Sequence, residues 1–290
     1  MSSIEKIFAR EIIDSRGTPT IEVEVCLEGI CSRASVPSGA STGSFEAHEL
    51  RDNDKKRFFM KGVTKAVNFI NSEINETIQG FDVTKQKKID RTLIELDGTS
   101  NKSRLGANSI LAVSLACSKA AAKFLKIPLF NYIGGISLSL PTPLMNIVNG
   151  GGHSNNKLDF QEFMIVPMGF RSFKESLRAG CEIFNYLKDL LNKHNFSISV
   201  GDEGGFAPNF NSNQECLDFI INSIERAGYK PGKNIFVALD VASSEFFDGK
   251  KYKVLSESLE MSAQELIKYY ENLIRNYPII SIEDGLDEKD

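Results

Sequence analysis

The first third of the chain alternates apolar and polar residues and then changes to helical spacing. The alternation predicts strands over residues 4–13, 20–27 and 30–36, with a polar Gly- and Pro-containing turn after the first. These strands are expected to form an antiparallel meander. Apolar residues at helical spacing then predict helices over residues 61–78 and 107–124. The second is rich in Ala, Ser and Leu, and its small side chains favour close packing in a core.

From about residue 142, apolar strands alternate with helices. The predicted strands cover residues 143–148, 162–166, 197–200, 236–239 and 279–282, and the predicted helices cover residues 173–193, 213–227 and 263–275. This order is typical of an α/β fold with a parallel sheet, and its start indicates a β/α barrel. Such a barrel needs about 250 residues. We therefore expect about five of its strands in this sequence.

A zone of Pro and Gly residues between the two patterns marks the expected domain boundary. The residues concerned are Pro128, Gly134, Gly135, Pro141 and Pro143. The predicted domains are an α+β cap over residues 1–135 and an incomplete barrel over residues 136–290.

Composition and charge give no reason to expect nucleic-acid or membrane partners, and they bear on the cellular location. The 290 residues are 41% hydrophobic and 25% charged, as expected for a globular protein, and the formal net charge of −4 gives no reason to expect nucleic acid or an anionic membrane as a partner. We found no signal peptide and no apolar window long enough to cross a membrane, and we expect a cytoplasmic protein.

The five cysteines are odd in number and scattered, without a Cys-x-x-Cys pair. This spacing argues against a disulfide framework and against a structural zinc, and it favours a reducing cytosol.

Acidic residues follow three of the apolar strands. Asp202 and Glu203 lie on the glycine-rich turn GDEGGFAP at residues 201–208, Asp240 follows the strand at 236–239, and Glu283 follows the strand at 279–282. A single acid in such a place could instead cap the next helix. Several acids at successive strand ends favour a hard cation with oxygen ligands, which indicates magnesium.

Three further segments offer candidate binding groups. The hydroxyl-rich loop at residues 37–43 could bring amides and serine oxygens to a phosphate or a magnesium ion, although a solvated turn is an alternative. His153 follows three glycines, and Gln161 and Glu162 lie at the edge of a strand. The alternatives are that His153 is an incidental loop histidine and that Glu162 is a strand-edge carboxylate that simply stays hydrated.

Seven strings together resemble the enolase family, in a bacterial form. They are SGASTG at 38–43, EAHELRD at 46–52, NGGGH at 149–153, QEFM at 161–164, GDEGGFAPN at 201–209, ALDVASSEF at 238–246 and SIEDGL at 281–286. The resemblance covers residues 7–290. It implies the reversible dehydration of 2-phosphoglycerate to phosphoenolpyruvate in glycolysis, with two magnesium ions, by a cap domain and an eight-stranded barrel. It also implies a homo-oligomer, the dimer being the expected form, when the protein is full length.

The resemblance assigns proton transfer and substrate contacts in the second domain. Glu203 matches the general acid that expels the hydroxyl, and Glu162 matches its supporting carboxylate. Gln161 and His153 match substrate contacts.

The resemblance also assigns metal ligands. Asp240 and Glu283 match ligands of the first magnesium, and Ser41 matches the loop serine that joins the second.

One departure from the family concerns the base. An enolase carries a third aspartate ligand, a lysine base, a phosphate-binding arginine and serine, and a further substrate lysine in later strands, and none of these has a match in residues 1–290. We therefore expect the acid part of the site without the base part, and no turnover by these residues alone. A catalytically silent binding protein is the alternative. Another barrel enzyme that abstracts α-protons from carboxylates fits the motifs less well.

Overall fold

The first sheet is built by strands whose alternate residues are buried. A computed structural model describes residues 1–39, 42–135, 139–201 and 203–290 of the chain. Strands β1 (Lys6–Ile13), β2 (Pro19–Leu27) and β3 (Ile30–Ser35) pair in the order β1-β2-β3, and both pairs are antiparallel. The predicted meander is confirmed.

The inner face of this sheet is covered by helices. Their bounds are α1 (Thr64–Phe69), α2 (Asn75–Ile78), α3 (Gln86–Asp97), α4 (Ala107–Leu125) and α5 (Leu129–Gly134). A π-helical turn, Ile70–Ile74, joins α1 to α2, so the predicted helix over residues 61–78 is confirmed with a later start. Helix α4 contacts β2 and β3 and buries Ala112, Ala116 and Ala120. Small side chains let this helix approach closely, as the sequence predicts.

Cys26 and Cys31 form a disulfide between β2 and β3, with their Cα atoms 4.2 Å apart. The sequence argued against a disulfide framework, and for this pair the structure differs. The reason is register: the two cysteines lie symmetrically about the turn at Glu28 and Gly29, which makes them direct cross-strand partners.

The second unit contains a mixed sheet covered by long helices. The strands of this sheet are β4 (Met145–Asn149), β5 (Glu162–Pro167), β6 (Ile235–Asp240) and β9 (Ile279–Glu283). A separate hairpin is formed by β7 (Tyr252–Val254) and β8 (Leu259–Met261). The helices are α6 (Phe173–Lys193), α7 (Asn213–Arg226) and α8 (Ala263–Asn276). Each helix begins with the pattern Ser-x-x-Glu. Ser172, Ser212 and Ser262 accept a hydrogen bond from the backbone N–H three residues later, which satisfies a free donor of the first turn.

The expected parallel sheet is wrong in two of its strand pairs. The strand order is β4-β5-β6-β9, and β5 runs antiparallel to both of its neighbours, whereas β6 and β9 are parallel. The segment at residues 150–161 contains no α-helix, so β5 returns beside β4 as a hairpin partner.

The strand predicted at residues 197–200 is also absent. Val200 forms an isolated bridge with Phe206, and Gly201 N–H donates to the carbonyl of Gly205 at 2.8 Å. The glycine-rich turn thus folds this segment onto itself, and Phe206 forms a single bridge with Val148 of β4.

Among the described residues the four-stranded sheet does not close into a barrel, and β9 is an edge strand. This open α/β sheet agrees with the expectation of a barrel whose first strands are present.

The chain divides into two compact units, Met1–Ser139 and Leu140–Asp290. The sequence predicted a boundary after residue 135 between two independently folding domains. That boundary stays a prediction. None of the helices in the described ranges combines the length and apolar character needed to span a bilayer.

Candidate active site

The acidic residues at the strand ends lie in one row across the second sheet. Glu162 pairs in register with Asp240, and Asp240 pairs with Glu283. Asn149 at the end of β4 completes the row beside Glu162. Because β5 runs antiparallel to its neighbours, its first residue lies beside the last residues of β4 and β6. Asp240 and Glu283, which the sequence placed at the ends of successive strands, are direct partners, and Glu162 joins them through the antiparallel direction of β5, which the sequence did not predict.

His153 and Glu203 lie next to this row. His153 ends the short helical turn Gly151–His153, and its Nδ1 is 3.5 Å from Glu162 Oε1 and 3.6 Å from Glu203 Oε1. The His153 and Glu162 side chains are 5% and 14% exposed, whereas that of Glu203 is 45% exposed. Of the two carboxyl groups, Glu203 is therefore the one that a ligand in solvent reaches first.

The glycines around Glu203 permit a close approach to β4. A Cβ atom on Gly205 would lie 2.5 Å from Asn149 Oδ1 and 2.9 Å from Val148 N. Phe206 N–H donates to the carbonyl of Ile147 at 3.0 Å, and the Phe206 carbonyl accepts from Asn149 N–H at 2.9 Å. The turn that carries Glu203 is thus fixed against the end of β4, and a side chain at residue 205 would push it away.

Glu162 holds a proton in this environment. Burial raises the pKa of its carboxyl group to about 8, and a hydrogen bond to Glu203 and the charges of Glu203, Asp240 and Glu283 act in the same direction. The ligand atoms of His153, Glu162 and Glu203 all lie within 4.8 Å of one another. At neutral pH Glu162 therefore keeps its proton and is hydrogen-bonded to Glu203.

The ionised form of the Asp240 carboxyl group is also disfavoured. Burial is the main reason that its pKa is raised, and the nearby Asp284 and Glu283 add to this effect. Hydrogen bonds from Ala242 N–H at 3.2 Å and from Gln161 Nε2 at 3.3 Å act against it. The predicted substrate contact Gln161 therefore contacts Asp240 in this structure.

These residues fit a divalent cation. In the described ranges no lysine or arginine lies within 4.0 Å of the carboxylates of Glu162, Glu203, Asp240 or Glu283. Asp240 and Glu283 are register partners at the ends of β6 and β9, the charge of Glu283 acts on Asp240, and carboxylate oxygens are ligands that suit magnesium. The group of His153, Glu162 and Glu203 also has ligand spacing, but the proton held by Glu162 competes with a metal there.

Two buried amides were not assigned a role from the sequence. Asn149 Oδ1 and Nδ2 and both side-chain polar atoms of Asn146 are buried without a hydrogen-bond partner in the described part of the chain. His153 Nδ1 is also buried without a hydrogen-bond partner among the described residues. The string NGGGH already contains Asn149, but only the register of β4 and β5 shows that it lies beside Glu162. Ser41, the predicted ligand of a second magnesium, lies outside the described residues.

An open α/β sheet with a row of carboxyl groups at one edge, one of them protonated at neutral pH, defines a candidate acid–base site. The family model described as "Enolase, N-terminal domain" matches residues 4–133, and the one described as "Enolase, C-terminal TIM barrel domain" matches residues 137–290. The chain belongs to the enolase family. The bacterial form remains a prediction.

Proposed function

We propose that residues 1–290 carry the metal-binding and proton-donating part of an enolase site, which acts in the reversible dehydration of 2-phosphoglycerate to phosphoenolpyruvate. The observation that carries the proposal is the buried Glu162, whose raised pKa of about 8 keeps it protonated at neutral pH, hydrogen-bonded to Glu203 and in register with Asp240. The family assignment of the whole chain supports the reaction class.

The two glutamates divide the work of proton donation. Glu203 is the more exposed and presents the proton to the leaving hydroxyl group, which departs as water. Glu162 is buried, keeps a proton up to about pH 8 and is hydrogen-bonded to Glu203, through which it can supply that proton. His153 Nδ1 lies within 3.6 Å of both carboxyl groups and makes no hydrogen bond among the described residues, so it can bind a substrate oxygen beside them.

Asp240 and Glu283 would hold the magnesium ion. Gln161 positions Asp240 through the hydrogen bond from Nε2. When bound, magnesium offsets the negative charge that develops when a proton is removed beside the substrate carboxylate. We assign no base to residues 1–290, because the resemblance matches none of their lysines to that role. A cytoplasmic location and a homo-oligomer of the whole protein are further predictions of this proposal.

The test joins residues 1–290 to the remaining barrel segment of a complete enolase. We expect this chimera to form phosphoenolpyruvate, measured by ultraviolet absorbance in millimolar magnesium. Glu203→Gln should reduce the rate by about 10²- to 10⁴-fold, because the amide cannot donate the required proton. Glu225→Gln, on the exposed side of α7, is the matched control and should leave the rate unchanged.

A chimera that binds magnesium but forms no product would support the silent binding protein instead. A Glu203→Gln chimera with the full rate would contradict the role of Glu203.

A further inference from the structure

The outer face of the first sheet carries a pair of cysteines. Along β2, Val25 and Leu27 are buried and Cys26, between them, is partly exposed, while Cys31 on β3 is exposed. The two cysteines are direct cross-strand partners and are joined as a disulfide. Their Cα separation of 4.2 Å is close to the spacing of a non-hydrogen-bonded antiparallel pair. Strand pairing alone thus brings the two sulfur atoms together.

This disulfide adds little constraint to the fold. It closes the loop of residues 26–31, and Leu27 and Ile30 inside that loop are already paired by the strand ladder. The ladder continues on the other side of the bond as far as Glu22 and Ser35. Because a disulfide stabilises mainly by restricting long loops in the unfolded chain, a bond across a two-residue turn is not needed to hold the hairpin.

The pair lies among charged side chains of both signs. Lys6 on β1 is the cross-strand partner of Cys26, and Arg33 lies two residues from Cys31 on the same strand face. A carboxylate oxygen of Glu24 lies within 4.8 Å of both sulfur atoms, and Glu24 Oε2 is 3.7 Å from Arg33 Nε, which partly offsets its charge. The exposure of Cys31, rather than the local charge, is therefore what opens the bond to disulfide exchange.

We propose that Cys26 and Cys31 are a redox-active pair that cycles between the disulfide and two thiols by exchange with a thiol reductant, such as two molecules of glutathione, and a disulfide oxidant. A reductant thiolate attacks the exposed Cys31 Sγ, the bond between Cys26 and Cys31 breaks, and Cys26 leaves as a thiolate that takes a proton from water. The second reductant thiol then attacks the mixed disulfide and releases Cys31. Two electrons and two protons pass from the reductant to the pair, and an oxidised disulfide such as oxidised glutathione reverses the exchange.

The other cysteines differ in ways that make the test specific. Cys117 and Cys216 are buried. Burial raises the pKa of the Cys117 thiol to about 12 and raises that of Cys216 well above its usual value, so both are unreactive in the folded chain. Cys181 is exposed and is removed by Cys181→Ser.

The experiment uses the full chain with Cys181→Ser in glutathione buffers of increasing reduced fraction, with native protein quenched by a maleimide and weighed by mass spectrometry. We expect two adducts per chain to appear together, to map to Cys26 and Cys31, and to disappear when oxidised glutathione is restored. Cys26→Ser in the same background should instead give one adduct at Cys31 and a glutathione mixed disulfide on oxidation.

Two results would overturn the proposal. In the first, the native disulfide persists in excess reduced glutathione and yields only after urea unfolding. In the second, the reduced chain does not re-form the bond between Cys26 and Cys31 in oxidised glutathione. Because the chemical reduction is performed on a chain with both cysteines, the test does not depend on the folding of the Cys26→Ser variant.

Discussion

Glu162 and Asp240 are direct partners across two strands that run in opposite directions. Glu162 is the first residue of its strand and Asp240 the last of the other, so the reversal of β5 is what places both carboxyl groups at the same edge. Burial raises the pKa of each group, most clearly that of Glu162. The pairing of β5 with β6 therefore holds Glu162, of the acid pair, directly beside Asp240, an expected metal ligand.

A polypeptide of residues 1–290 alone is expected to show no turnover of 2-phosphoglycerate. The resemblance matches no residue of this sequence to the general base, and loss of a proton-transfer group costs about 10²- to 10⁴-fold in rate. Formation of phosphoenolpyruvate, followed by ultraviolet absorbance beside a complete enolase, measures it. A rate near that of the complete enzyme would show that a residue of this chain serves as the base.

The stability of the chain is expected to fall between about pH 4.5 and pH 8 through Glu162. In the unfolded chain this group ionises near its usual pKa of 4.5, whereas the folded state keeps the proton until about pH 8. Over that range the unfolded state binds fewer protons, so the free energy of unfolding decreases as the pH rises and levels off above pH 8.

Glu162→Gln removes this contribution because the amide does not ionise. Relative to the parent chain, the variant should gain urea stability as the pH is raised from about 5 to about 9. Both titrations are run in EDTA, with Glu225→Gln as the matched surface control. Parallel pH profiles for Glu162→Gln and the parent would contradict the raised pKa.

Gly205→Ala is expected to destabilise the second unit. The added Cβ would lie 2.5 Å from Asn149 Oδ1 and 2.9 Å from Val148 N, so the turn that carries Glu203 must shift. The cost of such overpacking is about 1–3 kcal/mol, measurable by urea unfolding. Gly134→Ala is the control, since no atom lies within 4 Å of its Cβ position. Equal stability of the two variants would show that the turn yields without strain.

The edge strand β9 is expected to exchange its amide hydrogens faster than β2. Within the part of the chain that the structure describes, β9 pairs only with β6, while β2 is paired on both sides. An unpaired edge also recruits other chains, so we expect a tendency to aggregate. Hydrogen exchange with mass spectrometry compares Ile279–Glu283 with Pro19–Leu27. Equal protection of the two strands in a monodisperse sample would mean that the edge is covered.

The sequence predicts the position of the site better than the connections of its strands. The acids Asp240 and Glu283 follow apolar strands, and this pattern alone placed them at one edge. The direction of β5 leaves no mark in hydrophobic periodicity, because an antiparallel and a parallel buried strand have the same apolar run. The short apolar segment at residues 197–200 resembles a strand, but the glycine turn after it takes its hydrogen bonds.

The sequence pattern also did not predict two features that depend on strand register, because hydrophobic periodicity does not show which residues face each other across strands. The partnership of Cys26 with Cys31 follows from a two-residue turn at Glu28 and Gly29, not from a cysteine motif. The buried amide of Asn149 belongs to the site because β4 and β5 pair with Asn149 opposite Glu162. Symmetry of the cysteines about the Glu-Gly turn is the one sequence signal that could have indicated the first of these pairs.

Isothermal titration of magnesium into three forms of the chain tests the central claim, that the metal ligands and the proton donor are separate groups at one edge. The parent chain should bind magnesium, Asp240→Asn should weaken binding about tenfold or more, and Glu203→Gln should leave it within about twofold. Absence of binding by the parent, or an equal loss of affinity in the two variants, would contradict the division of roles between Asp240 and Glu203.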